Sequence, residues 1–201
     1  MKRLCVSLVV LLWSAAPADA QRVGKFSVGV AATEVKPIDD DVRATVGVGV
    51  TLARVPRSGW AFTGALNWFE SDLNGAFVGI ADKIGTLRVR PLMGGVSYTV
   101  MQGRLATIFS IVGGPSFNRM HIFDAARDRV EVTSDVKQTS IAVRPGVNLS
   151  YALKPRLAIT GFGGYLIDRP KFTFRTAAGE TRNTWKADAV VVSGGLAVSL
   201  F

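Results

Sequence analysis

His121 is the single histidine of the chain, and Ser116 and Asp124 are its nearest partners in sequence for nucleophilic chemistry. Such chemistry needs a base within hydrogen-bond reach of a nucleophile and a carboxylate that orients the base. Ser116 is five residues from His121, an odd separation that puts the two side chains on opposite faces of a continuous strand. His121 therefore reads as a surface or loop residue, and no catalytic residue is assigned. The run Asp39-Asp40-Asp41 offers oxygens to a hard cation. It lacks the Gly and Glu pattern of a calcium loop and reads as a solvated acidic loop. Glycine pairs recur at Gly94-Gly95, Gly113-Gly114, Gly163-Gly164 and Gly194-Gly195, and Gly47-Val48-Gly49 imitates part of a nucleotide fingerprint. No helical pattern follows any of them, so phosphate cradling has no support; glycine in strands gives curvature or room for large neighbours. No cofactor and no metal are expected.

The elements that carry these residues alternate with period two. In residues 42–55, Val42, Ala44, Val46, Val48, Val50 and Leu52 interleave with Arg43, Thr45, Gly47, Gly49 and Thr51, which gives one apolar and one wetter face. Similar segments are read at about residues 23–34, 42–55, 59–69, 83–101, 104–123, 130–153, 156–176 and 181–201. Short turns at Pro56-Arg57-Ser58, Gln102-Gly103 and Lys154-Pro155 alternate with longer connections near 35–41, 70–82, 124–129 and 177–180. An even strand count with short turns on one rim and long loops on the other is the pattern of a membrane barrel. Met120 to Phe123 facing Val130 to Val132, and Lys171 to Phe174 facing Thr184-Trp185, extend beyond the ~9 to 11 residues that cross a bilayer and read as hairpin arms outside the lipid. Trp60, Trp68, Phe69, Tyr98, Tyr151, Tyr165 and Trp185 near strand ends suit interface girdles.

Met1-Lys2-Arg3, the apolar stretch from Leu4 to Trp13, and Ala18-Asp19-Ala20 form a secretory signal peptide over residues 1–20, leaving one domain over 21–201. Cys5, the only cysteine, falls in that leader. The net charge of +9 drops to about +8 once Lys2, Arg3 and Asp19 are removed. Secretion makes nucleic acid an unsuitable partner for this basicity. Arg22, Lys25, Arg54, Arg57, Arg104, Lys154 and Arg156 lie at the mature N-terminus and the short turns without one acid among them. They form a basic rim on the periplasmic side, facing anionic lipid headgroups. Arg43, Arg88, Arg90 and Arg144 alternate with apolar residues and are expected to face the lumen, because arginine on the lipid side costs ~2 to 4 kcal/mol near the midplane. Eight strands leave an interior that side chains just fill, so these arginines should form a polar plug with residues such as Glu34 or Glu70 rather than an anion channel.

The leader, the eight alternating segments, the alternating turn and loop lengths and the terminal Ser199-Leu200-Phe201 together resemble the small outer-membrane proteins of the OmpA/OmpX type, a porin-like outer-membrane β-barrel family. The resemblance covers the whole mature chain. It implies an all-β, eight-stranded, antiparallel up-and-down transmembrane barrel in the cell outer membrane. It implies outer-membrane lipids as surroundings and Phe201 as the signal read by the barrel-assembly machinery. The apolar alternation at the end runs through Leu196, Val198 and Leu200, which leaves Phe201 off that face. The function it implies is non-enzymatic: an envelope-structural or surface-binding role, with an extracellular protein or glycan as ligand of the loops. Three alternatives stay open: a narrow pore for small or apolar solutes, a lipid-modifying barrel enzyme, and a secreted soluble barrel of lipocalin type.

Overall fold

The computed structural model describes residues 25–38, 43–55, 58–74, 83–123, 136–176, 179–184 and 187–200. The leader, Arg22, Asp39 to Asp41, Arg57, Asp124, Trp185 and Phe201 lie outside these residues.

Among the described residues, runs of β-branched, small and aromatic residues with period-two alternation form ten strands. They are β1 (Lys25–Pro37), β2 (Thr45–Val55), β3 (Ser58–Asn74), β4 (Lys83–Gln102), β5 (Leu105–Ile122), β6 (Val136–Lys154), β7 (Leu157–Asp168), β8 (Lys171–Thr176), β9 (Gly179–Thr184) and β10 (Ala189–Leu200). Eight of them close an antiparallel barrel in the order β1-β10-β7-β6-β5-β4-β3-β2. Closure joins the first and last strands, with Phe26 opposite Leu200 and Pro37 opposite Ala189, so neither is left as an edge. Gly103, at φ 60°, turns β4 into β5 within two residues.

Two of the expected segments divide. The seventh breaks at Arg169-Pro170, because proline brings no N–H to a ladder and Pro170 is buried where β7 ends. The chain then leaves the barrel as β8, which pairs with β9 in a separate two-stranded sheet, Lys171 opposite Thr184 and Thr176 opposite Gly179. This hairpin is one of the two expected arms. β1 and β3 also run further than expected, to Pro37 and Asn74.

Side-chain polarity reverses along the barrel. Near the short turns the outer face is apolar, with Phe26, Val50, Leu52, Phe62, Val96 and Val198 exposed, while Ser27, Thr51, Thr63, Ser110, Ser150 and Thr160 face inward. At the other end the outer face carries Glu34, Lys36, Glu70, Arg88, Arg119 and Lys137, and the interior is a buried cluster that includes Val35, Leu73, Leu87, Met120, Leu166 and Val191. The first arrangement suits hydrocarbon outside, and the second suits water outside. The change falls beside Trp68. On the same face of β3, Trp60 lies eight residues away, a vertical separation of about 20 Å at ~3.3 Å per residue and a tilt of ~40°. Trp60 meets Tyr98 edge-on with ring centroids 5.3 Å apart. Phe69 is no girdle residue, because the odd phase of β3 turns it into the core.

Candidate functional site

Among the described residues, one arginine crosses the lumen. Arg144 on β6 is buried, and its Nη1 donates to Asn67 Oδ1 on β3 at 2.7 Å, with two strands between them in the wall. Its guanidinium lies 4.6 Å from the ring centroid of Phe162 on β7. Phe162 can lie there because its inward-facing neighbours Gly146 and Gly164 have no side chains; a Cβ on either would come within 2.5 Å of the ring. Below this bar is a cavity of about 60 Å³, lined by Thr63, Ser110, Asn148, Ser150 and Thr160 among others. Above it the apolar cluster fills the interior.

A second polar group lies within that upper interior and was not anticipated. Ser116 Oγ donates to Asn118 Oδ1 at 3.3 Å, Asn118 Nδ2 donates to Ser140 Oγ at 2.7 Å, and Ser140 Oγ donates to Asp168 Oδ1. Asp168 has no solvent exposure, and its backbone N–H donates to Asp188 Oδ1 at 3.2 Å. Arg169 Nη2 in turn bonds Asp188 Oδ2 at 3.1 Å. The sequence signal was Ser116-x-Asn118, two polar residues in the inward phase of β5 between the buried Val112 and Met120.

Of the other three lumen arginines expected from the sequence, Arg88 and Arg90 do not face inward. Arg88 and Arg90 share the outer face of β4 with Leu92, Val96, Tyr98 and Val100, while Leu87, Val89, Met93 and Ser97 are buried. Their expected inward orientation assumed hydrocarbon outside the whole strand. β4 has 20 residues, twice the ~9 to 11 that cross a bilayer, so its distal half meets water and its charges turn out. Arg43 precedes β2 and is exposed. Glu34 is exposed on the outer face of β1, and Glu70 accepts a 2.6 Å bond from Arg88 Nε outside the barrel. Neither carboxylate therefore reaches Arg144, and among the described residues the interior combines apolar packing with one crossing guanidinium rather than a network of four.

These outward bases form a second feature. Across the strands, Glu70 opposes Arg88, Arg88 opposes Arg119, and Arg119 opposes Lys137. One pair down, Arg90 opposes Phe117, and the Arg90 guanidinium lies 4.1 Å over the Trp68 ring. Arg88, Arg90, Phe117, Arg119, Lys137 and Thr139 line an open depression of about 400 Å³.

His121 is exposed on the outer face of β5, its ring 5.9 Å from that of Phe123, whereas Ser116 is buried inside. The two point to opposite faces, as their odd separation requires. At the short-turn rim Arg54, Lys154 and Arg156 are exposed, and Arg104 Nη2 donates to the Leu153 carbonyl at 3.0 Å with its guanidinium 5.8 Å from the Tyr151 ring. The Lys25 side chain lies outside what the structure describes.

No family model matches the sequence, and no curated protein matches it. Solved structures do share its fold. The outer membrane protein OprG from Pseudomonas aeruginosa superposes with a TM-score of 0.72 at 16% identity, covering 90% of this chain and 98% of that one. A major outer membrane protein from Thermus thermophilus gives 0.62 at 13% identity, covering 89% and 100%. Outer Membrane Protein W of E. coli gives 0.52 at 12%, covering 89% and 99%. The shared property is the small closed antiparallel barrel.

Proposed function

We propose that the chain is a non-enzymatic integral protein of the outer membrane, a closed frame that holds surface-binding strands and loops outside the lipid. The observation that carries this reading is the reversal of polarity along the barrel, apolar outside near the short turns and apolar inside beyond Trp68. A secreted soluble barrel would hide its apolar residues inward along its whole length, and exposed Phe62, Trp60 and Phe109 argue against that. In this reading Arg54, Arg104, Lys154 and Arg156 face the periplasm and the anionic headgroups of the inner leaflet, and Phe201 serves the assembly machinery, as the OmpA/OmpX resemblance implies. The β8–β9 arm, outside the barrel, presents strand edges to an extracellular protein or glycan.

The test is to extract the chain with and without detergent and to reconstitute it in planar bilayers. A detergent requirement and no resolved channel events are expected. Resolved conductance would contradict the closed frame, and detergent-free extraction would contradict the membrane reading.

A second reading, passage of small apolar solutes, is favoured by the apolar lining of the upper interior, including Val35, Leu87, Met120 and Leu166. Faster entry of such a solute into proteoliposomes than into empty vesicles would support it; equal rates would remove it.

A further inference from the structure

We infer that the depression on the outer face of β4, β5 and β6 binds a phosphate group of an outer-leaflet glycolipid. The inference rests on the membrane reading and names a ligand chemistry for one patch of the wall.

Arg88, Arg119 and Lys137 stand directly opposite one another on three adjacent strands, and Arg90 completes the group one pair down. Glu70, bonded to Arg88, stands at one end of the row. Arg90 Nε is a buried donor without a hydrogen-bond partner among the described residues. Its guanidinium lies 4.1 Å over the Trp68 ring, a contact that restrains it before any ligand arrives. The planar forks of three arginines and one ammonium match the tetrahedral oxygens of a phosphate.

Position separates a lipid from a free anion. Leu92 lies two residues below Arg90 on the same face and is exposed, as are Phe117 and Ile111 on β5. The bases thus sit at the upper border of the apolar belt, where a headgroup phosphate lies with its acyl chains running down the wall. A soluble anion would use the bases alone.

The experiment reconstitutes the full chain in phosphatidylcholine nanodiscs and measures bound lipid by native mass spectrometry. The probes are bisphosphorylated lipid A, the same lipid with its phosphates removed, and inorganic phosphate. Wild type is expected to retain the phosphorylated lipid at least about tenfold better than the dephosphorylated one, and better than phosphate alone. The triple variant Arg90→Gln/Arg119→Gln/Lys137→Gln is expected to lose that preference. Lys36→Gln, which removes an exposed base on β1 across the barrel, is expected to keep it. Heat-dependent gel mobility reports insertion of each variant; should the triple variant fail to insert, the single Arg90→Gln is read in its place, with a several-fold loss expected.

Equal retention of the two lipids by an inserted wild-type chain overturns the site alone. So does a triple variant that binds like wild type, competition by inorganic phosphate as strong as by lipid, or binding of a soluble sulfated glycan in preference to lipid. A wild-type chain that does not insert overturns the membrane reading and the site with it.

Discussion

Arg144 shows what a single charged residue does in this lumen. Its Nη1 bond to Asn67 is the polar crossing between the small-residue cavity and the apolar cluster. Replacing it with alanine leaves Asn67 Oδ1 buried without its donor, which costs about 1 to 3 kcal/mol. Arg144→Ala should lower the unfolding free energy of the inserted barrel by that amount, and with it the urea midpoint, without opening a conducting path, because the apolar cluster above it is untouched. Unfolding of the variant in vesicles, followed by its conductance, checks both parts. Asp168 has a different balance. It is a carboxylate without solvent exposure, held by Ser140 and beside Asp188. An amide keeps the acceptor for Ser140 and removes the charge that burial disfavours. Asp168→Asn should therefore unfold at the same or a higher urea concentration at neutral pH, and an unfolding free energy lowered by more than ~1 kcal/mol would show that the charge itself is needed.

At the scale of the element, the strands were legible in the sequence because alternation, glycine and proline act locally. Six of the eight segments as single strands, the turns at Gln102-Gly103 and Lys154-Pro155, and the outward set Leu196, Val198 and Leu200 are present in the structure. What alternation alone does not carry is the solvent on either side of a strand. Leu87-Arg88-Val89-Arg90 reads identically with arginines inward under hydrocarbon or outward in water, and only the length of β4 decides between them. Counting phase from Val100 back through Val96 and Leu92 puts Arg88 and Arg90 outside, so the signal was present but needed the whole strand. The Arg144–Asn67 contact joins residues distant in sequence across the lumen and had no local trace. The division of the seventh segment at Pro170 turns the arm into a separable unit. Deleting residues 171–184 with a short Gly/Ser joint should leave insertion and the heat-dependent gel shift intact, and should abolish retention of displaying cells on a surface ligand that the intact chain binds. Lost insertion would show instead that the arm is part of the barrel's stability.

On the scale of the whole molecule, the account depends on one surface carrying two solvents: lipid below Trp68 and water above it. Cys5 is the only cysteine of the chain, so with Cys5 replaced by serine, single cysteines introduced along the wall report on one position each. Spin labels at Val50, Phe62 and Val198 should be reached by oxygen and not by a water-soluble nickel chelate. Labels at Lys36, Glu70 and Lys137 should be reached by the chelate, and a label at Ser150 should show restricted access to both. This accessibility profile in phosphatidylcholine vesicles tests the central claim most directly. The account predicts that the switch from oxygen to chelate falls beside Trp68 and Arg90, whereas chelate access along the full length of β2 and β3 would contradict it.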